Sequence, residues 1–147
     1  LTEKTYRPGG MTALLDAIGN TVSAAIQRIE GQAEGDRPDK VFVVIITDGH
    51  ENSSKEHTLE TIKEMVKTQQ EADWEFVFIG ANIDAFAAGG GMGVAAGSTL
   101  QYEATSEGTK RAYSSLSKGM LRARAATCSL DAKLEFTDED REAQEDA

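Results

Sequence analysis

The chain has 147 residues, with 15 lysines and arginines against 25 aspartates and glutamates, for a net charge of −10. That length suits one domain with a real core, and the acidic balance argues against nucleic acid, because phosphate binding needs clustered positive charge. Cys128 is the single cysteine, which excludes an intramolecular disulfide and a cysteine-rich zinc site; no apolar run is long enough to span a membrane, and the two absences together favour a cytoplasmic protein from a bacterium or a virus.

Residues 1–7 are polar and fit a short strand or an extended lead-in, and Arg7-Pro8-Gly9-Gly10 is a turn or loop by composition. Thr12 opens a helical pattern in which Leu15, Ile18, Val22, Ile26 and Ile29 share one face. Val41-Phe42-Val43-Val44-Ile45-Ile46-Thr47-Asp48-Gly49 then sets six apolar residues in a row. Such a run reads as a strand buried on both faces of a parallel sheet. Residues 49–55 form a polar loop, and Thr58 caps a second helix with Leu59, Ile62, Met65 and Val66 inward. Residues 74–79 are the next buried strand, followed by Gly80-Ala81-Asn82-Ile83-Asp84. Residues 85–88 fit a short helical turn, 89–97 a glycine-rich loop and 98–102 a last strand. A final helix starts at Thr105 or Ser106, with Tyr113, Leu116 and Met120 inward. Lys118, Arg122 and Arg124 lie near its end, where the helix dipole favours cations. Residues 128–136 leave room for a short edge strand. Residues 137–147 hold six acids and one arginine and are expected to be disordered. The alternation predicts a mostly parallel sheet with helices on both faces, a three-layer α/β/α sandwich of Rossmann-like layout.

Asp48 stands where ligands bind in open α/β sheets, just beyond the carboxyl end of a strand; a loop-capping aspartate fits the same position. Thr12 likewise suits a helix N-cap. Other patterns carry less. Gly91-Met92-Gly93-Val94-Ala95-Ala96 matches a dinucleotide fingerprint in letters, but that motif must follow a strand directly and open a helix. His50 and His57 with Asp48 and Glu51 match no transition-metal spacing. Asp84 suits a turn. Neither Cys128 nor Ser114-Ser115 belongs to a catalytic set.

Gly9-Gly10-Met11-Thr12-Ala13-Leu14 before the first helix, and Val44-Ile45-Ile46-Thr47-Asp48-Gly49 at the end of the first strand, together resemble the von Willebrand factor type A (vWA) domain. Phe76-Val77-Phe78-Ile79-Gly80 looks like that family's next strand, and the resemblance spans roughly residues 5–124 in element order. It implies a metal-ion-dependent adhesion site with Thr12 and Asp48 as ligands. The ion would be Mg²⁺ by default, with Mn²⁺ and Ca²⁺ as alternatives, and Gly10, Gly49, His50 and Glu51 would face a partner. The implied function is non-catalytic binding of a protein that offers an Asp or Glu carboxylate. The family's D-x-S-x-S loop occurs nowhere in the sequence. Residues 1–136 are therefore expected to be the C-terminal portion of such a domain, short of about three strands and a helix, roughly 50–70 residues. A missing N-terminal segment or another chain would complete the sheet, because the apolar strand at 41–46 otherwise presents a bare edge prone to aggregation; alone, the 147 residues are expected to fold poorly. Two ligands are few for a tight metal site. The alternatives are a metal-assisted phosphohydrolase using Asp48 and a metal-free scaffold domain.

Overall fold

The computed structural model describes residues 11–126 and 133–145. It is a mixed α/β structure with a three-stranded parallel sheet and five α-helices among those residues. In chain order these are α1 (Leu14–Glu30), β1 (Val41–Thr47), α2 (Leu59–Glu71), β2 (Trp74–Gly80), α3 (Ala85–Gly91), β3 (Thr99–Gln101), α4 (Ser106–Ala125) and α5 (Asp138–Glu145). The strands lie in the order β1-β2-β3, with Val41 opposite Trp74 and Thr47 opposite Gly80.

Alternation along β2 sends side chains to two cores. Trp74, Phe76 and Phe78 meet Leu14, Leu15, Ile18 and Val22 of α1 and Ile62 and Val66 of α2. Val77 and Ile79 meet Leu100, Ala112, Leu116, Leu134 and Phe136 on the other face. The helix starts follow their caps. Thr58 and Thr61 form a reciprocal capping box at α2, and Thr105 accepts from the Gly108 backbone at α4. Asp84 is the N-cap of α3, accepting from the Ala87 backbone, rather than the turn-forming residue its position suggested.

Several expectations are corrected. α3 runs through Gly91, so the first glycines of the expected 89–97 loop are helical; only Gly93, at φ +88°, needs a left-handed backbone. The helix persists because Gly89 admits Phe78 and Thr99: a Cβ there would lie 3.1–3.2 Å from their side chains. Tyr113 is exposed, because α4 turns Ala112, Leu116 and Ala123 to the sheet instead. Residues 133–136 carry no strand pairing, although the Phe136 amide donates to the Gly97 carbonyl at 2.9 Å. The acidic tail is ordered over α5: Thr137 and Asp140 cap the helix reciprocally, and Asp140 pairs with Arg122. Charge composition alone misses such a cap.

β1 differs most from its expected burial. Its apolar run predicts a strand covered on both faces, yet Val41–Val44 are only half-buried and Ile46 is 39% exposed. The reason is topological. β1 is an outer strand, paired with β2 alone among the described residues.

Candidate functional site

The carboxyl end of β1 is tied down by its neighbours. The Thr47 carbonyl accepts from the Ala81 amide at 2.9 Å, and the Thr47 hydroxyl donates to the Gly49 carbonyl at 3.0 Å. Asn82 takes a left-handed turn after β2 (φ 57°), a region asparagine tolerates, and its amide donates to the Asp48 carbonyl at 3.3 Å. These bonds use the backbone of the turn and leave the Asp48 side chain exposed. Gly80 is required beneath it: a Cβ there would fall 2.9 Å from the Ala85 Cβ and 3.1 Å from Ile83.

Thr12 reaches the same place from the other loop. Its amide donates to Asn52 Oδ1 at 2.8 Å, and the Asn52 amide donates to the Thr12 carbonyl at 3.1 Å. Its hydroxyl lies 3.4 Å from where a Cβ on Gly49 would sit. Thr12 and Asp48 thus line one open cleft of about 420 Å³, with Met11, Ile46 and Tyr102. Neither side-chain oxygen is committed to a hydrogen bond among the described residues. The helix starts at Leu14 with Ala13 as its N-cap and no side-chain cap, so Thr12 does not fill the N-cap role.

That role is taken from a distance. Glu51 Oε2 accepts from the Leu15 amide at 2.9 Å, and the Ser54 hydroxyl accepts from the Asp16 amide at 3.1 Å. Two amides of the first helical turn are thereby satisfied by a loop 36 to 38 residues away. Glu51 Oε1 also accepts from the Ser53 and Ser54 amides, at 2.9 and 2.7 Å. In return, the Asp16 carboxylate accepts from the amides of Lys55, Glu56 and His57 at 2.8–3.0 Å. The His57 ring covers Gly19 so closely that a Cβ there would fall 2.4 Å from it.

The charges follow this geometry. Burial pushes the Glu51 carboxyl up, but hydrogen bonds from the Ser54 and Leu15 backbone, the Ser54 hydroxyl and the Ser53 backbone outweigh it and hold the group at about 2. The Lys55 amide, then those of His57 and Glu56, hold Asp16 below the ordinary carboxylate range against some desolvation. Burial, and then the negative charge of Asp48, push the Tyr102 phenol up.

Of the residues the sequence singled out, Thr12, Asp48 and Gly49 come together. His50 is exposed and lines an adjoining hollow with Asn82, Asp84 and Gln101. Glu51 holds the loop with both oxygens rather than presenting them outward. Gly10 and Cys128 lie outside the described residues. The sequence reading missed Asp16, Ser54, Asn82 and Tyr102. Asp16 and Ser54 act across 36 or more residues, and Tyr102 enters from the far strand, so no local signal marks them. No group of three or more His, Cys, Asp or Glu side chains that could hold a metal ion occurs among the described residues. Thr12 and Asp48 are oxygen donors of the kind hard divalent cations take, but two such donors leave most of an octahedral sphere to water or outside ligands. Compared with protein-family models, with curated proteins and with solved structures, the chain has no match.

Proposed function

We propose that this chain has a vWA-like fold, a three-layer α/β/α sandwich, and that it is a non-catalytic protein-interaction module. A divalent cation, Mg²⁺ by default, is held by the Asp48 carboxylate and the Thr12 hydroxyl, and an Asp or Glu carboxylate of a partner protein completes its coordination. The observation that carries the reading is the meeting of two uncommitted oxygen donors from separate loops in one cleft at the carboxyl end of a parallel sheet. The Glu51 and Asp16 networks support it, since they fix both loops without using either donor. Water and partner oxygens suit a Mg²⁺ site that keeps few protein ligands. The phosphohydrolase alternative needs a cation for phosphate, and among the described residues the cleft is lined by no Lys or Arg.

The test is thermal unfolding with Mg²⁺, Mn²⁺ or EDTA. An ion at about ten times its Kd adds about 1.4 kcal/mol, which raises Tm by about 3–6 °C. Asp48→Ala and Thr12→Val are expected to abolish the rise while leaving the EDTA melt unchanged. No rise with any of Mg²⁺, Mn²⁺ or Ca²⁺ returns the chain to the metal-free scaffold reading.

A further inference from the structure

A cavity of about 440 Å³ lies where α3, β3 and α5 meet, and of the residues lining the Thr12–Asp48 cleft it shares only Tyr102. Its apolar wall is Leu100, which is buried, and the Phe86 ring, which is 43% exposed. Arg141 lies over that ring with its guanidinium turned to the carbonyls of Thr99, Ala96 and Gly97. Gln144 is the buried polar side chain of the lining, only 6% exposed. Its Nε2 donates to Ser115 Oγ at 3.3 Å and to the Asp140 carbonyl at 3.1 Å. The two branches of a planar amide diverge, so Oε1 is the branch left toward the cavity, and it is buried without a hydrogen-bond partner among the described residues. Glu103 and Glu145 stand exposed at the rim. We infer that this cavity binds an organic ammonium, whose N–H group donates to Gln144 Oε1 while its apolar body lies against Leu100 and Phe86.

The unpaired acceptor selects the kind of ligand. Buried polar groups are almost always hydrogen-bonded, so an acceptor buried without a partner calls for a donor from outside the chain. The rest of the lining selects the donor. Two carboxylates, Glu103 and Glu145, stand against one guanidinium, Arg141, which three carbonyls already engage. That balance, in a chain of net charge −10, favours a cation over an anion. A hydrated metal ion would leave Leu100 and Phe86 uncovered, whereas an amine on an apolar body meets both kinds of wall.

Neither Thr12 nor Asp48 lines this cavity, so it and the metal site stand or fall separately. A free amine and a lysine side chain offer the same ammonium group, and both carry an apolar stem.

The experiment is an amide NMR titration of the 147-residue chain in EDTA, which keeps metal binding out of the readout. The probe is phenethylamine, and the control is 2-phenylethanol, which has the same shape without the charge. The expected result is saturable shifts confined to residues 100–103 and 141–145, with a Kd on the order of 1 mM for a ligand of this size. The alcohol should bind about fivefold more weakly. Gln144→Met is expected to weaken the amine about tenfold. Should that variant fail to fold, Glu103→Gln combined with Glu145→Gln, both at exposed positions, decides: the amine should then bind no better than the alcohol. Nα-acetyl-lysinamide separates the two sources of the ammonium. Binding tighter than that of phenethylamine assigns the site to a lysine of another protein, and weaker binding assigns it to a free amine. Three results overturn the inference: no saturable shift with either amine, equal binding of phenethylamine and the alcohol, or amine binding unchanged in both the Gln144 and the paired glutamate variants.

Discussion

The two edges of this sheet are treated in opposite ways. At β3, residues 133–145 close the edge. The Ser98 hydroxyl donates to the Leu134 carbonyl at 2.8 Å, and the Phe136 amide donates to Gly97. The Arg141 guanidinium donates to the carbonyls of Thr99, Ala96 and Gly97 while lying over the Phe86 ring. At β1 no described segment does anything of the kind, although β1 is longer and wholly apolar up to Thr47. Among the described residues, the three-residue edge is closed by a helix, a cation and two buried apolar residues, while the seven-residue edge pairs with β2 alone.

The largest effect is expected where the covered edge is uncovered. Asp140 is 3% exposed; it accepts from Arg122, from the Thr137 amide and from the Thr137 hydroxyl. Burial raises its carboxyl, but these partners, the Thr137 backbone first, hold it below the ordinary range. Asp140→Ala removes a helix cap and the carboxylate partner of Arg122, which keeps the Glu135 carbonyl, at a cost of about 1–3 kcal/mol by urea unfolding. Exchange at Thr99–Gln101 should then rise toward that of β1. Equal protection of the two edges in the unmodified chain would break the comparison.

The next effect concerns what holds α1 over the β1 edge. Glu51→Gln keeps the shape but weakens the acceptor at the start of α1, for about 1–2 kcal/mol. The folded Glu51 carboxyl, at about 2, lies below its ordinary value. Its stabilisation is therefore complete above the unfolded value of about 4.3 and is lost as pH falls toward 2. Asp16 is shifted in the same direction and adds to the same acid loss. Urea titrations between about pH 2 and 6 should show a shallower decline for Glu51→Gln than for the parent. An unchanged slope would mean that the loop is not held by this carboxylate.

These features differ in how far the sequence reveals them. β1 and β2 are legible because apolar runs of six residues (41–46) and four residues (76–79) have few other structural uses. α2 and α4 are legible from Thr58 and Thr105, whose caps are local. The pairing of Thr12 with Asp48 and Gly49 comes from the resemblance to the vWA domain, since no local signal joins the two loops. The Glu51 and Asp16 locks could not be read, since the bonds that tie the loop to α1 join residues 36 or more apart. α5 was hidden by composition: six acids suggest self-repulsion, while the cap by Thr137 and the anchor through Arg141 depend on partners elsewhere in the fold. β1's half-exposure was hidden for a related reason, because a strand's apolar run does not say how many neighbours it has.

The smallest stability effect is expected at the β1 edge itself, and that smallness is diagnostic. Ile46 is 39% exposed where it lines the Thr12–Asp48 cleft. Because β1 pairs with β2 alone among the described residues, Ile46 contributes little to the fold of this chain, and Ile46→Lys should change unfolding stability by no more than about 0.5 kcal/mol. The same change puts a charge on an edge that lacks one, so concentration-dependent light scattering should fall. A substitution inside a completed sheet would behave the other way, costing stability without improving solubility. A loss of several kcal/mol for Ile46→Lys would therefore mean that β1 is already covered in solution, and the contrast between the two edges would disappear.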